Sequence, residues 1–245
     1  MARGTVRVLR LDWLPGVWQV EQRGLYPVNC WFVSDRTGCY LIDAGMPRGA
    51  RQLVDLIRWL LGGRRLDGIL LTHGHPNHVG AAFAAAAALA APLYAHPEEV
   101  PYILGWRRYR EVPGAPRSYR MAVAWRRPLA PDPRFPILPV VEGEAVGPFT
   151  VLHTPGHSPG HVTYVHPVLG AAFCGDLFLR LLPWVTGPPW PFTPHPAVLR
   201  QHQRRVLSYG AVHWLLPGHG SPVRLGPKPG WRRRGLSRSP LTGAW

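Results

Sequence analysis

The chain has 245 residues and a mass of 27.3 kDa, which is enough for one large domain or two small ones with a sizeable core. Its 46% hydrophobic and 17% charged residues exclude global disorder, and the lack of an apolar run of about 18 residues argues against a membrane-spanning helix. The formal charge of +15 raises nucleic acid or an anionic membrane surface as a partner, but Lys228 is the only lysine, and a compositional bias toward arginine explains the charge equally well.

The first 71 residues predict a meander of strands, then a helix and a further strand. Short β-rich runs are separated by turns that contain Gly, Pro and Asp. Between Arg48 and Leu61 the leucines recur at helical spacing, and Gly62 and Gly63 end the helix. The predicted strands are Thr5–Leu11, Val17–Glu21, Val28–Ser34, Cys39–Asp43 and Leu66–Leu71.

The rest of the chain predicts further strands and helices with two irregular sections. An Ala-rich segment between Val79 and Leu93 predicts a helix, and Pro92–Ala95 a short strand. Residues Gly105–Pro139 are rich in Arg, Pro and aromatic side chains without a period, which indicates a long loop or lid-like insertion. The second irregular section, Leu182–Pro196, precedes a helix at Ala197–Ser208. The other predicted strands are Phe149–His153, Val162–His166, Ala171–Cys174 and Val212–Leu216.

No repeat or linker divides the chain, so we expect residues 1–226 to form one domain and the basic residues 227–245 to form a flexible tail. The three cysteines are too few and too irregularly spaced for a disulfide framework. The first ten residues lack the apolar region of a secretion signal. A cytoplasmic protein without a membrane anchor is the expectation.

At least five of the 12 histidines lie in predicted loops directly after strands, beside Gly and Pro. The loop 72–78, with the sequence Thr-His-Gly-His-Pro-Asn-His, places three imidazoles within six residues. Two histidines at spacing i, i+2 in a tight loop can converge on one ion, and neutral imidazole suits zinc and iron. Further along the chain His157, Asp176 and His219 stand at the ends of three later strands. These residue types predict a metal centre.

With these motifs the chain resembles the metallo-β-lactamase superfamily, whose hallmark is an H-x-H-x-D-H loop followed by a distal His, an Asp and a final His. The resemblance extends from about Val17 to Val223 and includes the segment Leu-Ile-Asp-Ala-Gly at 41–45. It implies an α+β fold, the four-layer αββα sandwich, with a metal centre that is often dinuclear. It also implies that His73, His75 and His157 hold a first metal, that His78 and His219 hold a second, that Asp176 bridges them, and that Asp43 orients a ligand or its loop.

The first loop departs from the family motif at one position, where Asn77 replaces the usual Asp. The amide removes a unit of charge and a proton acceptor, and its neutral oxygen is a poorer metal ligand. The substitution leaves three alternatives: a mononuclear or weakly dinuclear hydrolase, a hydrolase with a different base, or a fold retained for binding. We favour retained hydrolysis because every other ligand position is filled.

The resemblance implies metal-assisted hydrolysis with one or two ions, zinc in the first place and iron or manganese as alternatives. A divalent ion lowers the pKa of its bound water to about 7 and polarises the scissile carbonyl or phosphoryl group. Asp176 and Asn77 are the candidate catalytic residues. Because the Asn77 amide cannot take a proton, Asp176 is the nearest candidate to accept a hydrogen bond from the nucleophile. The remaining histidines are expected in supporting, capping or surface positions: His96, His153, His161, His195 and His202.

The predicted substrate is a small, ester-like molecule, either a thioester or a lactone. The chain resembles hydroxyacylglutathione hydrolases and acyl-homoserine lactonases, although the glutathione-binding motif of the former is not recognisable. Aromatic and basic residues around Trp106–Arg110, Trp125–Arg127 and Trp184–Phe192 suggest a rim suited to an anionic or polar end, or else packing of long loops. The alternatives are a nucleic-acid phosphodiesterase or binding protein, which the charge and the Arg and aromatic residues suggest, and a metal-poor pseudoenzyme. The oligomeric state stays open.

Overall fold

Two β-sheets form the centre of the computed structural model, which describes residues 6–24, 27–123, 135–181 and 183–226. Within these ranges the first sheet has seven strands in chain order, antiparallel from the first to the fourth and parallel from the fourth to the seventh. Its strands are β1 (Val6–Arg10), β2 (Val17–Gln22), β3 (Val28–Ser34), β4 (Cys39–Ile42), β5 (Gly68–Leu70), β6 (Leu93–Ala95) and β7 (Ile137–Pro139).

The second sheet also has seven strands in the described ranges. They are β8 (Ala145–Val146), β9 (Phe149–His153), β10 (Val162–His166), β11 (Ala171–Leu181), β12 (Trp184–Thr186), β13 (Trp214–His219) and β14 (Val223–Arg224). Their order is β14-β13-β11-β10-β9-β8, and β12 pairs with the far end of β11. The pair β11 and β13 is parallel, and the other pairs are antiparallel.

Helices cover the outer faces of both sheets. The helix α1 (Ala50–Leu61) buries an apolar stripe against the first sheet and ends at Gly62, which takes the left-handed conformation that glycine favours. The helix α3 (Ala82–Leu89) packs on that face too, and α6 (Pro196–Ser208) packs on the second sheet. The other helices are α2 (Pro76–Val79), α4 (Val100–Ile103) and α5 (Arg117–Ala122). The layers follow the order helix, sheet, sheet, helix, which confirms the predicted αββα sandwich.

The space between the sheets is filled by buried apolar side chains from both of them. Trp31 of the first sheet lies edge-on to Phe173 of the second, with ring centroids 6.1 Å apart, and Phe149 contacts Phe173 at 5.6 Å. Burial of a side chain of this size contributes about 1.5 to 3 kcal/mol to stability. This core fixes the two sheets against each other and therefore fixes the loops at their shared edge.

The prediction of a long loop at Gly105–Pro139 is wrong in part. The described part of this section contains α5, the edge strand β7 and a 3₁₀ turn at Tyr109–Glu111. Tyr119 of α5 is buried with Tyr109 in a small apolar cluster of its own. These elements have three to six residues each, too few for a period to be recognised in the sequence. Residues 125–127, part of the predicted rim, lie outside the described residues.

Four other sections differ from the prediction. The strand β11 continues past Cys174 to Leu181, so Asp176 lies within a strand and not after one, and β13 likewise includes His219. The pairing between β11 and β13 shifts register on both sides of Gly175, whose φ of 45° is accessible to glycine, and this irregularity lets the strand continue through a Gly-Asp sequence. The Ala-rich segment forms two helices, α2 and α3, and the section Leu182–Pro196 contains β12.

The other predicted strands and both long helices are confirmed, most of them to within two residues. No helix in the described ranges is both long and apolar enough to cross a membrane. The division into residues 1–226 and a tail stays a prediction, and the tail at 227–245 lies outside the described residues.

Candidate metal centre

The loop after β5 carries three of the predicted ligands. His75 stands in extended backbone and is the N-cap of α2, which begins at Pro76, and His73 lies two residues before it. Proline is well suited to the first position of a helix because it has no N–H to leave unpaired. One turn of helix then places His78 beside His73, with ring centroids 4.2 Å apart. The sequence thus turns three imidazoles toward one point within six residues.

A first group of four buried ligand atoms forms where this loop meets the second sheet. Its members, His73, His75, His157 and Asp176, have ligand atoms that all lie within 4.8 Å of one another. Nδ1 of His75 lies 3.1 Å from Nε2 of His73 and 2.9 Å from Nε2 of His157. Nε2 of His157 is 3.4 Å from Oδ2 of Asp176. Zinc bonds of about 2.0 to 2.2 Å in a tetrahedron place ligand atoms roughly 3.3 Å apart, so these distances fit one ion.

A second group shares Asp176 with the first. Nε2 of His78 lies 3.2 Å from Oδ1 of Asp176, and Nε2 of His219 lies 3.5 Å from the same oxygen. The two oxygens of Asp176 therefore face different groups, Oδ2 the first and Oδ1 the second. Oδ1 of Asp176 and Nε2 of His78 are buried and make no hydrogen bond, which is the state of atoms that can coordinate a cation.

Hydrogen bonds outside the groups orient the imidazoles. Nδ1–H of His219 donates to the carbonyl oxygen of Pro27 at 2.6 Å, and Nδ1 of His73 lies 3.0 Å from Oγ1 of Thr72. Nδ1–H of His78 donates to Oδ2 of Asp43 at 2.8 Å. Each of these contacts occupies Nδ1 and leaves Nε2 directed at the centre, the arrangement typical of histidine ligands.

Asp43 lies at the end of β4 and contacts two parts of the loop. Its Oδ2 accepts hydrogen bonds from His78 and from the Thr72 hydroxyl, and its Oδ1 accepts one from the backbone N–H of Thr72. The backbone of Asp43 has φ of 58°, in the left-handed region that few non-glycine residues adopt. Asp43 thus occupies the place expected of a residue that orients a ligand and its loop.

The electrostatics of the groups favour a positive charge between them. Burial lowers the pKa of His78, but the carboxylates of Asp176 and Asp43 outweigh burial and raise it to about 10. Burial raises the pKa of Asp176, yet His78 and His219 hold it well below its ordinary value. Burial, together with the neighbouring His78 and His75, lowers the pKa of His73. The two carboxylates therefore favour a positive charge at His78, and a divalent ion bound there would replace the proton of Nε2, so the residues fit such an ion.

Asn77, the departure from the family motif, lies beside the second group. Its Nδ2 donates to Nε2 of His219 at 3.1 Å, and its side chain is partly exposed at the start of α2. Its contact with His219 places it where the motif has a carboxylate.

Two supporting residues were missed by the sequence reasoning. Thr72 links Asp43 to His73, as described above. Asn29 donates from Nδ2 to the carbonyl oxygens of Pro217 at 3.0 Å and Gly220 at 2.7 Å, and so holds the turn that carries His219. The available signal for Asn29 was a polar residue inside the apolar strand β3, which is buried along almost its whole length.

The remaining histidines lie outside the two groups. His161 is fully buried and supports the centre, because its Nε2 accepts a hydrogen bond from the backbone N–H of Asp176 at 3.2 Å. His96 and His153 form a third group with Glu98, but their rings are stacked at 3.9 Å and 10°, so their nitrogen lone pairs run parallel instead of converging. His195 is the N-cap of α6, and His202 lies on that helix.

The segment that follows α4 contributes an aromatic side chain at the first group. The ring of Tyr109 lies 4.4 Å from that of His75 and is buried. The tryptophans of the predicted rim are exposed: Trp106, Trp184 and Trp190.

Known proteins resemble the chain in sequence. The profile of the family described as metallo-beta-lactamase superfamily matches residues 23–219. The probable metallo-hydrolase YflN of Bacillus subtilis is 30% identical over 80% of this chain and 81% of its own length. The probable metallo-hydrolase YybB of the same organism is 34% identical, and the match covers 62% of this chain and 63% of that protein. The hydroxyacylglutathione hydrolase GloC of Haemophilus influenzae is 25% identical over 81% of this chain and 88% of its own length.

A solved structure is also similar. The structure of TTHA1623 in a di-iron-bound form has a TM-score of 0.63 and 33% identity, and the match covers 82% of this chain and 92% of that one.

Proposed function

The chain belongs to the metallo-beta-lactamase superfamily and is a metal-dependent hydrolase, and we propose that it cleaves a small thioester or lactone. The observation that carries the proposal is the position of Asp176 between two imidazole groups, with one carboxylate oxygen toward each. We assign His73, His75 and His157 as ligands of a first ion, His78 and His219 as ligands of a second, and Asp176 as the bridge.

When bound, the metal would lower the pKa of water and polarise the scissile carbonyl group. The residues of the chain supply a hydrogen-bond acceptor for the water and hold the ligands in position. Asp176 stays ionised beside His78 and His219, so it can accept a hydrogen bond from the attacking water. His161 fixes the backbone of Asp176, and Asp43 fixes the ring of His78. Asn77 can donate a hydrogen bond but cannot take a proton, which leaves Asp176 as the acceptor.

Hydrolysis adds water across the C–S bond of a thioester and releases a carboxylic acid and a thiol, or across the acyl C–O bond of a lactone and opens the ring to a hydroxy acid. Two features favour this class. The relative GloC, by its name, acts on a hydroxyacylglutathione, which is a thioester. The segment around Tyr109, which contacts His75, also carries Arg107, Arg108 and Arg110, and these cations suit a substrate with an anionic end.

Zinc is the proposed metal, with iron and manganese as alternatives, in one or two copies per chain. The ligands are imidazole and carboxylate without thiolate, a set that suits zinc and iron alike. The name of TTHA1623 records two irons in that protein. We also propose a cytoplasmic location, because the three cysteines are buried as free thiols.

The test combines elemental analysis with assays of a thioester and a lactone before and after treatment with a chelator. We expect bound metal in the purified protein, loss of hydrolysis on its removal, and recovery when zinc or iron is returned. His73→Ala, which removes a ligand at the centre of the first group, should abolish both metal binding and hydrolysis. His202→Ala on α6 is the matched control and should change neither. A protein with well under one metal per chain that does not hydrolyse either substrate would support the pseudoenzyme instead.

A further inference from the structure

Glu99 is a fully buried carboxylate that joins the two loops of the first histidine group. We propose that Glu99 is a positioning residue that holds these loops at the separation needed to bind the first metal ion. The inference rests on the proposed metal centre and assigns a role to a residue outside the ligand set.

Four hydrogen-bond donors surround the carboxylate. Oε1 accepts from the backbone N–H of Gly74 at 2.9 Å and from the Tyr109 hydroxyl. Oε2 accepts from the Ser158 hydroxyl at 2.9 Å and from the backbone N–H of Gly160 at 2.8 Å. Two donors on each oxygen match an ionised carboxylate, which only accepts hydrogen bonds.

Three of the four donors belong to the loops that carry the ligands, and the fourth, the Tyr109 hydroxyl, belongs to the segment after α4. Gly74 lies between His73 and His75 in the loop after β5 of the first sheet. Ser158 directly follows His157 in the loop between β9 and β10 of the second sheet. Each oxygen of Glu99 therefore bonds a different loop, and the carboxylate spans the junction across which Nδ1 of His75 and Nε2 of His157 lie 2.9 Å apart.

The close packing of both loops supports the same conclusion independently. A Cβ at Gly160 would lie 2.4 Å from the backbone nitrogen of Glu99 and 2.8 Å from its Cβ. A Cβ at Gly74 would lie 2.6 Å from the Tyr109 hydroxyl oxygen and 2.7 Å from a side-chain carbon of Ile103. Only glycine lets the two backbones approach the carboxylate this closely, so the loops are built around Glu99.

The chemistry of the contacts explains why a carboxylate is needed. In Glu99→Gln an NH₂ group replaces one oxygen and faces two donors, either those of Gly74 and Tyr109 or those of Ser158 and Gly160. The hydroxyl of Tyr109 or Ser158 can turn to accept from this NH₂, but the backbone N–H of Gly74 or Gly160 cannot, so one loop would lose its backbone attachment and shift relative to the other. Substitution of residues that orient metal ligands typically lowers metal affinity by about 10- to 100-fold.

The experiment compares metal-free wild type, Glu99→Gln and Glu98→Gln, the last being the same change at the neighbouring exposed side chain. Zinc affinity is measured by competition with a chromophoric chelator, and thermal unfolding of the metal-free proteins is measured beside it. We expect Glu99→Gln to bind the tighter zinc ion about 10- to 100-fold more weakly than wild type, and Glu98→Gln to match wild type. A folded Glu99→Gln protein with wild-type affinity would overturn the inference. Wild type without metal affinity would instead overturn the proposed function.

Two milder variants keep the test decisive if Glu99→Gln does not fold. Tyr109→Phe and Ser158→Ala each remove one donor, on opposite oxygens of Glu99, and Tyr109→Phe keeps the ring against His75. Each should weaken zinc binding by about threefold to tenfold and alter the visible spectrum of the cobalt-substituted protein. A lower unfolding temperature with unchanged affinity and spectrum would show a purely structural role and overturn the inference.

Discussion

Nδ2 of Asn77 lies 3.1 Å from Nε2 of His219 and donates a hydrogen bond to it. The lone pair that accepts this bond is the one that a metal ion in the second group would need, because Nδ1–H of His219 is held by the carbonyl of Pro27. The amide and a second ion therefore compete for the same atom.

Asn77→Asp should raise metal occupancy from about one ion per chain toward two and increase hydrolysis. The carboxylate cannot donate to His219, and it adds a negative charge beside the second group. Elemental analysis and the rate on a thioester or lactone measure the two effects. Asn77→Ala separates them, since it removes the hydrogen bond without adding charge. Equal occupancy and rate in wild type and Asn77→Asp would show that this position does not limit the second site.

The ligand loop shows what could be predicted from the sequence. His73 and His75 converge because they stand at i and i+2 in a tight loop just before a helix begins, and the motif records this spacing. The distal ligands His157, Asp176 and His219 came from the family resemblance, because a sequence does not show which strand ends share an edge. Their contacts join residues up to 192 positions apart.

Supporting residues were beyond prediction for the same reason. Asn29 and Glu99 act through partners 191 and 61 positions away, and neither stands in a motif. A polar residue in an apolar strand signals that a partner exists but not which one. The position of Asp176 within β11 was also missed, because the Gly-Asp sequence is typical of a strand end and only the register shift against β13 shows otherwise.

Asp43→Asn should weaken the second site and lower the free energy of unfolding. Asn tolerates the left-handed backbone at this position, so the change tests the side chain alone. Its single oxygen cannot accept from the Thr72 N–H, the Thr72 hydroxyl and His78 together, and the loss of one or two buried hydrogen bonds costs about 1 to 3 kcal/mol. Urea unfolding and metal content are the measurements. Asp55→Asn on the exposed face of α1 removes the same charge and should leave both unchanged.

His96 is stacked on His153, and because of this environment we expect the protein to lose stability against unfolding in acid. Burial, together with the nearby His153, lowers the pKa of His96 to about 4, whereas the unfolded side chain titrates near its ordinary value of 6.5. Well above pH 6.5 the His96 side chain is neutral in both the folded and the unfolded protein, so its titration does not change the free energy of unfolding. As the pH falls from 6.5 toward 4 the unfolded chain binds a proton that the folded protein does not, so stability decreases.

His96→Asn should flatten this part of the pH profile. Asn does not titrate, and its side-chain oxygen can accept the hydrogen bond that the backbone N–H of Glu98 gives to Nδ1 of His96. The measurement is the unfolding temperature of both proteins at several pH values between neutral and about 4, at constant ionic strength. We expect the unfolding temperature of wild type to fall more than that of His96→Asn as the pH decreases from 6.5 toward 4. Parallel profiles would rule out His96 as a source of acid sensitivity.

The charge of +15 predicts different salt responses for the two candidate functions. A protein that binds nucleic acid through six to ten phosphate contacts loses about 10³- to 10⁵-fold in affinity between 50 and 200 mM salt, because condensed counterions are released. Hydrolysis of a small ester depends on buried histidines and Asp176, whose interactions salt screens weakly. We therefore expect the rate at saturating thioester or lactone to change by less than about twofold up to about 0.3 M salt. Oligonucleotide cleavage that collapses over this range, together with no activity on either ester, would instead identify the arginines as phosphate contacts and the centre as that of a phosphodiesterase.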